Sequence, residues 1–159
     1  MACLWARGMG LPIGTVRLAC NANATLAEYF AGADYRPRPA LRTLANAMDV
    51  GAPSNFERLR WTFPDESALR RALYAETVDD AAIRATLEQH GRMHGEVFCP
   101  HTATAMCVLD RLRAQGDQAP WVVVATAHAA KFASVVEPLI GHPVAVPEVL
   151  ADMLARPSH

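Results

Sequence analysis

The 159-residue chain has no excess of either charge, and Lys131 is its only lysine. Fifteen basic residues are offset by sixteen acidic ones, which leaves a formal net charge of −1. This balance provides no basic field for nucleic acid or for an anionic membrane surface. The six histidines would add positive charge only below neutral pH. The composition therefore predicts neither a nucleic-acid partner nor a membrane partner.

Long apolar runs are also lacking, since none approaches the ~20 residues needed to span a bilayer. The first residues, MACLWARGMGLP, have no basic leader followed by a long apolar stretch, so we do not expect a signal peptide. The cysteines are widely separated and follow no disulfide-framework spacing, which favours a reducing cytoplasm. These cysteines are Cys3, Cys20, Cys99 and Cys107.

What the chain does have is apolar content, at 52% of residues against 19% charged. This composition is typical of a well-buried globular protein with one sizeable core. The chain begins with a predicted α–β–α passage. It consists of helical spacing over 1–9, a β-branched strand over 15–20 and a capping box at Thr25 that opens the next helix. Such an order predicts an α/β protein with a doubly wound, mostly parallel sheet and flanking helices.

Beyond this passage the chain is irregular over 32–53, a length of connection that is usually functional or covered by other structure. No separate second domain is predicted. Capping signals and apolar spacing then predict further helices and one more strand. The helices begin at Ser54, Asp65 and Thr77 and span 101–114, 129–139 and 147–154, and the strand spans 121–125.

Metal-ligating residue types occur close together between positions 94 and 107, but their spacing matches no usual zinc pair. These residues are His94, Cys99, His101 and Cys107. A Cys99–His101 nucleophilic pair is a second possibility, although neighbours on a turn are more often incidental. No phosphate-binding loop, dinucleotide fingerprint or serine-hydrolase motif is present. We therefore predict no metal site.

Polar side chains follow both predicted parallel strands at their carboxyl ends, where open sheets bind ligands. Asn21 and Asn23 come directly after the first strand, and Thr126 and His128 come after the second. Each pair could instead cap local backbone groups. Two polar strand ends together favour a shared crevice.

Three segments make the chain resemble the bacterial and fungal type of threonine synthase. They are TLANAMDVGAPSNFERL at 43–59, PHTATA at 100–105 and TAHAAKF at 126–132. The resemblance runs along nearly the whole chain and is poorest over 75–97. It implies a truncated, tryptophan-synthase-like fold of the type II class of pyridoxal-phosphate enzymes, with residues 1–159 as a single C-terminal portion.

Members of this family convert O-phosphohomoserine and water to L-threonine and phosphate in threonine biosynthesis, using pyridoxal 5′-phosphate. The resemblance implies that Thr126 faces the cofactor's pyridine nitrogen and that Asn21 and Asn23 lie at its binding crevice. It also implies a supporting role for a larger set of residues. These are His128, Asn46, Asp49, Asn55, His101 and Thr102.

The chain departs from the family pattern at several positions, and it lacks the family's Schiff-base lysine. Lys131 matches a different family lysine, so we predict no catalytic residue here and an inactive isolated chain that needs the N-terminal part of the same enzyme. The departures are Cys20, Ala24, Cys99, Ala125 and Ala129, where the family has Thr, Asp, Asp, Gly and Pro. Two alternatives stay open: a threonine synthase-like phospholyase or dehydratase, and a non-catalytic fragment or interaction module.

Overall fold

The computed structural model describes residues 1–157, so Ser158 and His159 at the end of the predicted portion lie outside it. The described residues form eight α-helices and two short strands. They are α1 Ala2–Gly8, β1 Val16–Cys20, α2 Thr25–Phe30, α3 Asn55–Thr62, α4 Glu66–Ala72, β2 Leu73–Thr77, α5 Asp80–His94, α6 Pro100–Ala114, α7 Ala133–Ile140 and α8 Glu148–Leu154. Two 3₁₀ helices, Asn46–Met48 and Ala129–Phe132, complete the list.

A small parallel sheet lies among these helices. β1 pairs with β2 in parallel, from Val16 opposite Leu73 to Cys20 opposite Thr77. The predicted strand over 15–20 and the α/β class are therefore confirmed. β2 was not predicted, because α4 changes into it at Leu73 without an intervening turn residue. Leu73 also fits the apolar spacing of α4, so the sequence pattern gave no sign that the helix ends and a strand begins there.

The predicted strand over 121–125 is wrong as stated, because these residues form no strand in the structure. A strand needs a neighbour that satisfies its backbone groups, and nothing within residues 1–157 pairs with this segment. Val122 and Val124 are 90% and 66% exposed. We call residues 121–124 the exposed valine segment.

Most predicted helices are confirmed, with shifts at their starts. The helix predicted from Thr77 begins after Asp79, whose carboxylate accepts from the Ala82 N–H at 2.8 Å. The helix predicted over 129–139 is a 3₁₀ turn followed by α7. Thr25 caps nothing, because its hydroxyl donates to the Gly51 carbonyl at 2.9 Å.

Two apolar clusters hold these elements together. One lies where α5, α6 and α7 meet, and the other where α1 to α4 pack with the sheet. Their large buried members include Ile83, Leu87, Val108, Val136 and Ile140 in the first and Leu4, Tyr29, Phe56, Leu69 and Leu73 in the second. Each fully buried side chain of this size contributes about 1.5–3 kcal/mol. Across residues 1–157, no helix is both long enough and apolar enough to cross a membrane.

His90 joins α5 to α6 through an ionic triad. Its Nδ1 lies 2.9 Å from Glu96 Oε2, and its Nε2 lies 2.9 Å from Asp110 Oδ2. Since each ring nitrogen faces a carboxylate, these contacts favour the imidazolium form, in which both nitrogens donate. Burial opposes this charge, but the two hydrogen bonds and the negative charges outweigh burial and raise the pKa of His90.

Gly91 provides the first prediction, because α5 and α7 approach closely there. A Cβ at this position would lie 2.4 Å from Ile140 Cγ2 and 3.0 Å from Ile140 Cβ. We expect G91A to lower the free energy of unfolding by about 1–2 kcal/mol, since overpacking exceeds the gain in helix propensity. Urea titration measures this change. The matched variant G8A, where a Cβ meets no atom within 4 Å, should be neutral or stabilising.

The second prediction concerns pH and His90. Because the folded-state pKa is raised, the triad stabilises the fold fully below the unfolded pKa of about 6.5 and loses this effect as pH rises through the folded pKa. The difference in unfolding free energy between wild type and H90Q should therefore shrink as pH rises above about 6.5. A difference that stays constant as pH rises would contradict the charged triad.

Candidate functional site

A cavity of about 1080 Å³ opens beside the carboxyl end of β1. β1, α6 and residues 119–124 form three of its sides, and the turn at 47–50 lies at its rim. Four of the predicted site residues line it: Asn21, Asn23, His101 and Thr126. Asn21 and Asn23 after β1 thus line the same cavity as Thr126, although residues 121–125 form no strand within the described chain.

The carboxylate of Asp49 organises the rim of this cavity. Its Oδ1 accepts from the Thr43 hydroxyl at 2.7 Å and from Asn21 Nδ2 at 2.8 Å, while its Oδ2 accepts from the Thr43 N–H at 3.0 Å. Asn23 Nδ2 adds a longer contact to Oδ1 at 3.3 Å. The irregular segment is thereby fastened to the residues that follow β1.

Asn21 and Asn23 are 1% and 7% exposed, and their amide groups are engaged within the chain. Asn21 Oδ1 accepts from the Asn23 N–H and from Asn23 Nδ2, both at 3.0 Å. Asn23 Nδ2 also donates to the Leu41 carbonyl at 2.9 Å, and Asn23 Oδ1 accepts from the Leu41 N–H at 2.8 Å. Through these contacts the two asparagines hold the segment around Leu41 against the residues that follow β1.

His101 connects the rim to the turn at Thr126. Its Nε2 accepts from the Ala47 N–H at 3.0 Å, and its ring centre lies 4.9 Å from that of Phe132. Burial lowers the pKa of His101, although the charge of Asp49 opposes this effect. The neutral ring must carry its proton on Nδ1, and this buried atom has no hydrogen-bond partner within residues 1–157.

The side chain of Thr126 exposes its hydroxyl at the cavity and does not cap a helix. Thr126 is exposed at the cavity and makes no side-chain hydrogen bond within residues 1–157. His128 instead caps the following 3₁₀ helix, since its Nδ1 accepts from the Ala130 N–H at 3.2 Å. Of the two roles that the sequence left open, His128 therefore has the capping role, and Thr126 has its side chain at the crevice.

The remaining predicted residues do not line the cavity. Asn46 and Asn55 are exposed at the starts of their helices. Thr102 is buried, and its hydroxyl lies 3.3 Å from the Cys99 sulfur, which also accepts from the Thr102 N–H. Within residues 1–157, no group of three or more His, Cys, Asp or Glu residues is arranged to hold a metal ion.

Sequence reasoning did not single out Thr43 or Gly51, both of which shape the rim. The Thr43 hydroxyl joins Asn21 to Asp49. Gly51 lies so close to the Arg38 carbonyl that a Cβ would stand 2.0 Å from that oxygen. The spacing of Thr43 and Asp49 around a short turn is the only sequence signal that could have indicated this pairing.

The third prediction tests Asp49. In D49N, one carboxylate oxygen becomes an NH₂ group that must face donors, so we expect the unfolding free energy to fall by about 1–3 kcal/mol. D34N is the matched control, because Asp34 is 78% exposed and within residues 1–157 its side chain bonds only to Arg36. The control should stay within about 0.5 kcal/mol of wild type. Equal effects of the two variants would contradict the organising role of Asp49.

Comparison with known proteins connects this site to one family. The model described as "Threonine synthase, C-terminal" matches residues 102–159. The threonine synthase of Serratia marcescens is 31% identical over 148 residues, which cover 93% of this chain and 34% of that protein. The chain spans about a third of the length of the curated relatives it matches.

Solved structures agree with the sequence comparison. The threonine synthase of Escherichia coli superposes with a TM-score of 0.83 at 30% identity, covering 97% of this chain and 35% of that one. A PLP-bound threonine synthase from Brucella melitensis has a TM-score of 0.81 at 29% identity, covering 96% and 38%. In sequence and in fold, this chain is therefore similar to the C-terminal portion of threonine synthases.

Proposed function

We propose that the chain forms one wall of the active site of a threonine synthase, which converts O-phosphohomoserine and water to L-threonine and phosphate in the cytoplasm. The observation that carries the proposal is the free hydroxyl of Thr126 at the edge of the cavity. This residue lies within the segment that matches the family model. The four free cysteines are compatible with a reducing compartment.

The residues at the cavity fit pyridoxal 5′-phosphate. A neutral threonine hydroxyl can donate to an unprotonated pyridine nitrogen, whereas a carboxylate would favour a pyridinium. Thr126 would make this contact, and Asn21 and Asn23 would shape the rim beside it. When bound, the cofactor supplies an electron sink for carbanions formed on the substrate. The chain's own contribution is to orient the ring and to limit its charge.

The proton-transfer lysine is expected to come from the rest of the enzyme. Lys131, the only lysine, is exposed within the 3₁₀ helix beyond Thr126. It does not line the cavity. We therefore propose that the isolated chain does not catalyse the reaction and that the N-terminal portion must complete the site.

Two departures from the family pattern have local compensation. Cys99 takes the place of an aspartate, and its sulfur still caps α6 by accepting from the Thr102 N–H at 3.5 Å. Cys20 takes the place of a threonine beside the cavity, and burial raises the pKa of its thiol to about 11. The thiol is therefore neutral, and it adds no charge to the site.

The test combines this chain with the N-terminal two thirds of Escherichia coli threonine synthase and measures phosphate release from O-phosphohomoserine. Neither piece alone should release phosphate, and the mixture should do so. T126V should reduce the mixture's rate by roughly tenfold through the loss of one hydrogen bond, while T126S should retain it. The valine variant matches threonine in shape, so the hydroxyl alone is tested.

Two outcomes would contradict this proposal. One is an inactive mixture of correctly folded pieces. The other is pyridoxal phosphate that stays attached to the isolated chain after borohydride reduction, because that result would make Lys131 an anchoring lysine. A rate that T126V leaves unchanged would remove the role of Thr126 and leave the family assignment standing.

A further inference from the structure

His101 has one ring nitrogen in use and one without a partner. Its Nε2 accepts from the Ala47 N–H at 3.0 Å, whereas Nδ1 has no hydrogen-bond partner within residues 1–157. The residue is only 7% exposed. Because burial keeps the ring neutral and Nε2 accepts, Nδ1 carries the proton and is a donor. A buried donor without an acceptor is costly, so this N–H indicates a contact that forms in the complete site.

The turn that carries Thr126 lies at the same cavity and is weakly held. Among the backbone hydrogen bonds of residues 1–157 outside the helices and strands, none involves the exposed valine segment or the turn after it, over 121–127. Thr126 and His101 both line the cavity. The ring of His101 also lies 4.9 Å from that of Phe132, at the end of the 3₁₀ helix into which the turn leads. A small shift of this turn moves Thr126 relative to the imidazole.

Other acceptors for the Nδ1 proton are occupied or kept away. The charge of Asp49 acts on the pKa of His101, but this carboxylate already accepts from Thr43 and Asn21, which hold it at the rim. Water does not reach Nδ1, because the atom is buried. The Thr126 hydroxyl, in contrast, has no partner within residues 1–157 and belongs to a segment without backbone hydrogen bonds.

We propose that His101 is a positioning residue for Thr126, and that its Nδ1–H donates to the Thr126 hydroxyl oxygen when the turn closes on a bound ligand. This inference rests on the proposed function, which assigns the pyridine nitrogen of pyridoxal phosphate to Thr126. A threonine hydroxyl has one proton and two lone pairs, and it rotates to suit its partners. A donor held on one lone pair turns the hydroxyl proton away from the imidazole and toward the ligand nitrogen. Polarisation along the two hydrogen bonds strengthens both.

The arrangement also determines which ring nitrogen the site accepts. The Nδ1–H and the hydroxyl are both neutral donors, so they favour a ligand nitrogen that accepts a hydrogen bond over one that carries a proton. Ala47 occupies Nε2 and thereby leaves Nδ1 as the nitrogen that donates. One imidazole thus connects the rim, through Ala47, to the group that contacts the ligand.

Two variants of His101 separate the roles of its two nitrogens. H101N places an amide N–H near the position of Nδ1 and removes the acceptor for Ala47, whereas H101Q places an amide oxygen near Nε2 and removes the Nδ1 donor. Each is combined with the N-terminal two thirds of Escherichia coli threonine synthase, and equilibrium dialysis measures the Kd of pyridoxal phosphate. We expect H101Q to raise this Kd about five- to tenfold and H101N to raise it by no more than about twofold. A role limited to the Ala47 contact predicts the opposite order.

Variants of Thr126 test whether His101 acts through the hydroxyl. T126V removes the oxygen that the Nδ1–H would contact, so the H101Q/T126V double variant should bind pyridoxal phosphate within about twofold of T126V alone. T126S keeps the hydroxyl, and in its background H101Q should retain its full effect. Effects of H101Q and T126V that simply multiply would overturn the inference, because independent residues behave in that way.

The unaltered ring provides a readout that does not depend on the folding of a His101 variant. In the two-part enzyme with ¹⁵N-labelled histidine, the Nδ1 proton of His101 should move downfield in the NMR spectrum when pyridoxal phosphate is added, since it gains an acceptor. T126V should abolish this shift, and T126S should keep it. An Nδ1 proton whose resonance is the same in T126V and T126S would contradict the contact.

The outcomes separate the inference from the proposed function. If the mixture binds pyridoxal phosphate and H101Q binds it as wild type does, or if H101N loses more affinity than H101Q, the positioning role is wrong and the proposed function stands. If the mixture of folded pieces does not bind pyridoxal phosphate, the proposed function fails and the inference fails with it.

Discussion

The site depends on one carboxylate, that of Asp49, which holds the irregular segment to the residues that follow β1. It accepts from both the backbone and the hydroxyl of Thr43 and from the amide of Asn21. Without this acceptor, the donors of half-buried Thr43 and buried Asn21 would lose a charged partner, and leaving such donors unpaired is costly. The irregular segment over 32–53 thus gains a defined position without forming regular structure. That position sets the rim of the cavity.

His101 extends this organisation to the opposite wall. It receives the Ala47 N–H from the rim, and its ring packs on Phe132 beyond Thr126. The pKa of His101 is lowered whereas that of His90 is raised, although both rings are buried. The difference lies in their neighbours: His90 has two carboxylates at hydrogen-bond distance, whereas a backbone N–H contacts His101. Neighbouring groups therefore decide which histidine carries charge.

Local signals predicted much of the fold and of the site, and they failed where a distant partner decides the structure. β1 and α6 follow from spacing and capping within their own residues. The rule that parallel strands end at one edge led to the expectation that Asn21 and Thr126 meet, and both line the cavity although only Asn21 follows a strand within residues 1–157. β2 was hidden because Leu73 fits both a helix and a strand, and pairing with β1 decides between them. The strand over 121–125 failed for the opposite reason, since its sequence suits a strand but the described part of the chain provides no strand to pair with it. Thr43 and Gly51 were missed because their roles depend on contacts with Asp49 and Arg38.

The internal engagement of Asn21 and Asn23 has a consequence for the thermodynamics of ligand binding. Their amide groups are already ordered by Leu41, Thr43 and Asp49. A ligand that enters the cavity does not need to immobilise these side chains, a step that costs about 0.5–1.5 kcal/mol for each flexible side chain fixed on binding. The conformational entropy of the rim is lost when the chain folds. The affinity at this wall is then governed by the contacts that a ligand makes, and not by rearrangement of the protein.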